Sequence, residues 1–467
     1  MSHAGFHSII IGAGMSGLAA GIRLAMFDKK VLILEKHSIA GGLNSYYQRK
    51  NLHETGVRKF DVGLHALTNF MQKGEKAKPF AKLLKQLRLP YESFGLKPQN
   101  YSEINFPDAQ LKFSNDFSLL QNEVHQVFPK HMDEFNYLVS VVKSFNELDL
   151  NQAYSSSREK LKTIISDPLL IEMLLAPLLI YGSAWENDMD FAQIVVIIKF
   201  IYLEGFAQPK GGVRTIINML LEKYQSLGGQ LHFKEGVEEI ILRDNKAIGV
   251  RTDKAEYLAE NIFSSAGLPE TYGLCSEKKE TAALGRLSFT ETILCLDKKI
   301  PIKDFDSTII FYNDSNIYKY EKPQTLFDTS SAVFCCPDNY DLEEREGEGM
   351  LRITYMANYE MWKAMERSEY LEEKERVYEA ALKLTRKLIP KFNQEIRFKD
   401  VFTPTTIERY TWHKAGTVYG STEKSRNGKT HFDNLYVIGT DQGFLGIVGA
   451  MLSGISMDNS YGLMEVQ

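Results

Sequence analysis

A strand that runs straight into a glycine turn constrains this chain more than any other feature of its sequence. Residues 8–17 read Ser-Ile-Ile-Ile-Gly-Ala-Gly-Met-Ser-Gly, so Gly12, Gly14 and Gly17 satisfy G-x-G-x-x-G. The first glycine of such a turn permits the sharp reversal off the strand. The second lets a pyrophosphate approach the backbone, and the third lets the next helix pack close to the sheet. The flanks fit: Ile9 to Ile11 reads as a strand, Ser16 to Phe27 as an amphipathic helix with its positive end toward the phosphates, and Val31 to Leu34 as a second strand. Glu35 follows, where an acid accepts hydrogen bonds from ribose hydroxyls and repels a 2′-phosphate. The fold class is therefore α/β, with a Rossmann-type dinucleotide lobe. Gly12, Ala13, Gly14, Met15, Ser16, Gly17, Glu35 and Lys36 are its candidate cofactor contacts. The fingerprint occurs once, so one tightly held dinucleotide is the simpler reading.

A chain of 467 residues exceeds one ordinary core. The α/β pattern of residues 1–70 gives way at 71–204 to Leu/Lys/Phe patterns at helical spacing, such as Phe80, Leu83, Leu84 and Leu87. It returns at 205–275, with a helix from Ile216 to Leu227 stopped by Gly228-Gly229 and strands at Leu231–Phe233, Glu239–Leu242 and Ile248–Thr252. Residues 276–400 differ again, with strands at Ser288–Leu296 and Leu351–Met356 and a charged helix from Tyr370 to Leu388 stopped by Pro390. Residues 401–467 carry the strand Leu435–Ile438, a glycine-rich turn and a last helix. The expectation is a discontinuous dinucleotide lobe (1–70, 205–275, 401–467) holding an inserted α+β substrate lobe (71–204, 276–400).

A net charge of −5 and a pI near 6.1, with no Lys/Arg stripe, exclude a nucleic-acid partner. Cys275, Cys295, Cys335 and Cys336 show no C-x-x-C or Cys/His spacing, so no metal site is expected and the thiols read as reduced core residues. No basic stretch precedes a cleavable apolar run at the N-terminus. The stretches Pro168–Ile180 and Phe191–Leu203 are too short or too interrupted to span a bilayer. They read as buried core helices or as a substrate-channel or membrane-surface element. The expected location is cytoplasmic, with contact to a membrane face as the route by which a greasy substrate is collected.

After Glu35 come Gly41-Gly42-Leu43-Asn44 and then Phe60-Asp61-Val62-Gly63-Leu64-His65. Here the chain resembles the superfamily of phytoene desaturases, carotenoid isomerases and retinol saturases, within the wider amine-oxidase-like FAD proteins. The likeness continues through Pro209-Lys210-Gly211-Gly212, Ser264-Ser265-Ala266-Gly267-Leu268 and Thr403-Pro404. It ends with Tyr419-Gly420, Leu435 to Asp441 and Gly446-Ile447-Val448-Gly449-Ala450. It runs almost end to end, firm in the dinucleotide lobe and thin in 71–204 and 276–400. It implies FAD as cofactor, with Gly41, Gly42, Leu43, Asn44, Val237, Gly267, Gly439, Asp441, Ile447 and Val448 added to its contacts. Asp441 is placed on a ribityl hydroxyl and the Val237 backbone on the adenine. Two departures stand out. Many relatives have Arg where Leu43 stands, and carotenoid desaturases usually show Pro-Gly where this chain has Phe444-Leu445-Gly446, as in the saturase-like branch.

What the resemblance implies is an FAD-dependent oxidoreductase acting on carbon–carbon double bonds of a lipophilic polyene or isoprenoid, as saturase, desaturase or isomerase, with an external electron donor or acceptor. Flavin supplies the redox chemistry, so no catalytic triad is required. His65 is the candidate proton donor or acceptor, against a structural histidine bonded to backbone. Tyr181, Tyr202 and His413 are candidates for the substrate lining, against core or solvent-facing positions, and Glu408 and Arg409 read as a solvated pair. Two rivals remain: an amine oxidase, for which Trp412 and Tyr419 are the only hint of an aromatic cage, and a non-catalytic lipid escort on the same fold.

Overall fold

The computed structural model describes residues 5–50, 56–63, 66–146, 153–276, 281–344 and 346–464. Two seven-stranded sheets organise them. In the first, Phe6–Ile11 lies parallel between Val31–Glu35 and Glu256–Ser264. Gln230–Phe233 continues it in parallel beyond Val31–Glu35, and Leu435–Val437 pairs in parallel with the end of Glu256–Ser264. The hairpin of Val237–Arg243 and Lys246–Thr252 joins the start of that strand antiparallel. The central strands are covered on both faces, which is why they are near-continuous aliphatic runs: Ile9, Ile10, Leu32 and Ile33 are fully buried. The Met15–Ala25 and Gly446–Met457 helices pack together against this sheet. Their contact depends on glycine, since a Cβ at Gly454 would sit 2.2 Å from the Ser16 carbonyl oxygen.

The second sheet runs Ile396–Phe402, Ser288–Leu296, Gly349–Ala357, Ser331–Cys335, Ile309–Asn313, Ser102–Asn105, Gln110–Phe113. It is antiparallel except where Ile309–Asn313 meets Ser102–Asn105. Its side chains alternate between two cores. Ile310, Phe334 and Ile353 pack with Ala381 and Leu384 of the Arg367–Leu388 helix. Ile309, Phe311, Val333 and Cys335 face the Pro168–Ile180 and Phe191–Ile198 helices. All four cysteines are buried and none is in a disulfide.

Most expected elements appear within a few residues of their predicted bounds, and the structure adds strands that the sequence pattern does not predict. The Ser102–Asn105 and Gln110–Phe113 hairpin stands where the sequence predicts only helix. Its turn, Phe106-Pro107-Asp108-Ala109, closes with the Phe106 amide on the Ala109 carbonyl at 3.0 Å. The Phe191–Leu203 stretch is α-helical only to Ile198 and finishes as a π-turn over Lys199–Leu203. No helix among the described residues is long and apolar enough to cross a membrane.

Candidate active site

The first glycine turn is built to leave one space open. Gly12 has φ +94° and its missing Cβ lies 2.5 Å from Ser265 Oγ, so Ser265 fills that side. Gly17 presses on the turn itself: a Cβ there would meet the Gly12 carbonyl oxygen at 2.1 Å. Gly14, between them, has no heavy atom within 4 Å of its Cβ position, and Gly42, across from it, would place a Cβ 3.6 Å from the Gly14 Cα. Gly14 is also the N-cap of the Met15–Ala25 helix, which has no side-chain cap and no acid in its first turn. Its leading amides are thus left for an anion in front of Gly14 and Gly42. The Gly446–Met457 helix, capped by Leu445, likewise lacks a side-chain cap and an acidic first turn. Both sites fit a dinucleotide.

Glu35 stands at the end of the second strand, as read from sequence. Its Oε2 accepts from the Ala13 amide and its Oε1 from the His37 amide, each at 2.7 Å. Burial raises its pKa although both amides favour the carboxylate. The group therefore fixes the glycine turn and still lines the cavity.

Two other carboxylates join motifs that are far apart in the chain. Asp61 accepts from the Val213 amide at 3.1 Å and from Arg214 Nη1 at 3.4 Å, which ties Phe60–Gly63 to the Pro209–Gly212 turn. Gly212 is required there, because a Cβ would lie 2.1 Å from Asp61 Oδ2. Asp441 accepts from the Leu268 amide at 2.6 Å, the Ser421 amide at 2.9 Å and Lys424 Nζ at 3.0 Å. Its side chain is completely buried. The Asp441 carboxylate, to which the family resemblance gives a ribityl contact, holds the Gly267 and Gly420 turns together.

A cavity of about 1620 Å³ opens beside these turns. Its wall includes the polar or charged Glu35, His37, Glu238, Glu270 and Lys414, with Trp412. Gly42, Leu43, Asn44, Gly63, Thr68, Thr440, Gly446 and Ile447 from the turns also line it. Other lining residues are greasy: Ile180, Tyr181, Phe200, Phe289, Val333, Tyr419 and Leu445. Phe200 belongs to the π-turn, and such turns commonly redirect side chains at functional sites. Tyr419 donates its hydroxyl to the Ile180 carbonyl and meets Phe289 edge-on, with ring centroids 6.2 Å apart. One carboxylate, Glu291, interrupts this wall and is matched from behind: Arg352 Nε donates to it at 2.6 Å and Thr354 Oγ1 at 3.2 Å.

The remaining sequence candidates fall into three groups. Leu43, Asn44, Tyr181 and Ile447 line the cavity with Glu35 and Gly42. Met15, Val237 and Val448 put their side chains in the core, and Ser16, Gly41, Gly267 and Gly439 shape the turns. Lys36 lies with its Nζ 2.7 Å from the Trp412 ring centroid. Tyr202 and His413 do not line the cavity. The Tyr202 hydroxyl donates to the Leu174 carbonyl at 2.9 Å inside the helical core, and His413 is buried beside Glu270. His65 and Leu64 lie outside the described residues. Glu408 and Arg409 do not pair: Glu408 accepts from Tyr359 and Lys363, while Arg409 lies over the Tyr410 ring. Glu291 and Arg352 escaped the sequence reading, although each is a lone charge in an apolar strand, which marks a buried pair.

Comparison with known proteins agrees with this architecture. Residues 15–456 match the family described as flavin containing amine oxidoreductase. Prolycopene isomerase of Daucus carota is 27% identical, over 96% of this chain and 79% of its own. All-trans-retinol 13,14-reductase of Danio rerio is 23% identical, over 96% of this chain and 84% of its own. The crystal structure of an oxidoreductase from Methanosarcina mazei superposes with a TM-score of 0.66 at 19% identity, covering 97% of this chain and 99% of that one.

Proposed function

Because this chain belongs to the flavin containing amine oxidoreductase family and is a flavin-dependent oxidoreductase, we propose that its cofactor is FAD and that it acts on carbon–carbon double bonds of a lipophilic polyene or isoprenoid. The observation that carries this reading is the greasy wall of Ile180, Tyr181, Phe200, Phe289, Val333 and Leu445, which adjoins the Thr440–Ile447 turn. The uncapped turn at Gly14 would hold the pyrophosphate, and Glu35, beside that turn, would receive a ribose and disfavour a 2′-phosphate. When bound, FAD supplies hydride exchange at its N5. The residues of the chain orient the substrate and keep water out. A hydrocarbon chain gains roughly 25 cal/mol for each Å² of apolar surface it buries against such a wall. Glu291 does not oppose it, because Arg352 neutralises that carboxylate in place. An external electron donor or acceptor completes a saturase or desaturase cycle, and contact with a membrane face delivers the substrate.

The names of the two curated relatives above, an isomerase of prolycopene and a reductase of retinol, support this substrate class. An amine oxidase would hold its substrate between two aromatic rings near the flavin. Trp412 is instead covered by Lys36, and Tyr419 is bonded to Ile180. Mass spectrometry of the organic extract from freshly purified, denatured protein tests the proposal. FAD together with a polyene or isoprenoid is the expected result. Absence of both after expression in a flavin-rich host would overturn it.

A further inference from the structure

The Pro404–Thr411 helix ends in a left-handed turn that the mechanism above does not use. Trp412 caps it at φ +66°, a conformation that costs a bulky residue energy and persists only where contacts hold it. The residue is nonetheless 48% exposed, and Tyr410 is 52% exposed. Each contacts one of the two residues directly after Glu35. Lys36 Nζ covers the Trp412 ring, and His37 meets Tyr410 edge-on at 5.4 Å between centroids. His37, Tyr410, Trp412 and Glu35 all line the same cavity, so these contacts border the space that Glu35 faces. The far side of the segment is anchored: the Lys414 amide donates to Glu270 Oε1 at 2.7 Å, and Glu408 in the helix body accepts from Lys363 Nζ at 2.9 Å.

Resting on the FAD reading, we infer that the Tyr410–Trp412 turn is a clasp over the adenosine end of the cofactor, and that its two aromatic contacts set how fast the dinucleotide leaves. The contacts are of the right strength for a clasp that opens. An exposed cation–π contact is weak, and edge-on ring pairs add a similar amount. The anchors at Glu270 and Lys363 are hydrogen-bonded to charged groups and stay in place. Opening therefore needs only the strained turn to relax and the two rings to lift. The pocket below contains Glu35, Glu238 and Glu270, so the clasp closes over the uncharged adenosine and leaves the phosphates to the amide-rich turn at Gly14.

The test uses full-length protein loaded with FAD. The complex is diluted, the free flavin passing an ultrafiltration membrane is followed with time, and apo-protein melting temperatures are recorded in parallel. Trp412→Ala and Tyr410→Ala should each release FAD about three- to tenfold faster than wild type, as expected for losing one exposed aromatic contact. Trp412→Phe, which keeps a ring in place, should stay nearer wild type, and the apo melting temperatures should remain close to wild type. Off-rates within twofold of wild type for both alanine variants would overturn the clasp while leaving FAD binding intact. Wild-type protein that holds no FAD would overturn the cofactor reading itself, and the clasp with it.

Discussion

Replacing Gly14 with valine separates a ligand space from a packing space. The backbone at Gly14 is extended, with φ −71° and ψ 179°, so a β-branched residue fits it without strain. Nothing lies within 4 Å of the new Cβ, so the first side-chain atom meets no protein atom. At the N-cap the change costs about 1 kcal/mol or less, because glycine is itself only a moderate cap. The loss falls on the ligand. Valine methyls would occupy the space in front of the helix amides and deny a pyrophosphate its charge-assisted hydrogen bonds, worth about 1.5–3 kcal/mol each. Losing two of them weakens flavin binding by about 100-fold or more, at about 1.4 kcal/mol per decade. Gly17→Ala is the counterpart. Its Cβ would meet the Gly12 carbonyl at 2.1 Å, so the fold itself must shift, at about 1–3 kcal/mol. The assay is the flavin-to-protein ratio after gel filtration, beside the melting temperature of the apo form. Gly14→Val should lose flavin and keep its melting temperature, and Gly17→Ala should lose both. A Gly14→Val protein with wild-type flavin content would refute the reasoning.

Three further outcomes follow from buried charges. Asp441→Asn removes the countercharge of Lys424, whose side chain is only 5% exposed; a loss of about 3–5 kcal/mol in denaturant melts is expected, and a loss below 1 kcal/mol would mean the clamp is not structural. Arg352→Met alone should cost a similar amount by removing the countercharge of Glu291 in the cavity wall, while Arg352→Met with Glu291→Gln should recover most of it in the same melts. Asp458 is fully buried with both carboxylate oxygens unpartnered, and burial, offset in part by Arg23, raises its pKa well above 3.8. A raised carboxyl binds its proton more tightly in the folded state, so its contribution falls as pH climbs from the unfolded toward the folded pKa. Asp458→Asn should therefore flatten the decline in stability as pH rises above about 4, by up to about 1.4 kcal/mol per pH unit. Parallel pH profiles for the two proteins would contradict this.

The dinucleotide turn could be read because its function needs glycines at fixed spacing and a strand and helix on either side, all of which are local. Gly12, Gly14, Gly17 and Glu35 stand where that reasoning puts them. The strand Ser288–Leu296 was legible for a similar reason, a stretch rich in β-branched and apolar residues and without Gly, Pro or Asn. The clamp at Asp441 was not legible, because its partners, Leu268, Ser421 and Lys424, come from other parts of the chain, and a carboxylate after a strand looks the same whether it holds a ligand or three donors. Tyr202 and Tyr181 illustrate the same limit. Both are tyrosines beside aliphatic helices, and only packing decides that one hydroxyl meets the Leu174 carbonyl while the other ring lines the cavity. The Ser102–Phe113 hairpin was passed over although Pro107-Asp108 announces its turn, because helical periodicity on either side dominated the window.

The pairing of Leu435–Val437 with Glu256–Ser264 has a consequence for how the protein is made. Asp441 reaches Leu268 across 173 residues of chain, and the Gly446–Met457 helix docks on Met15–Ala25 across a still longer interval. The first sheet, although it begins at Phe6, cannot be finished until those distant segments have been synthesised. Contacts of such long sequence separation form slowly and leave apolar edges exposed in the interval. A nascent chain would therefore hold Ile9 to Ile11 and Phe263 in an incomplete sheet, and the cofactor cleft would become whole only at the end of folding. A ligand that binds only the finished cleft draws that last step forward by mass action, so flavin supply during expression should govern the yield of folded protein as well as its activity.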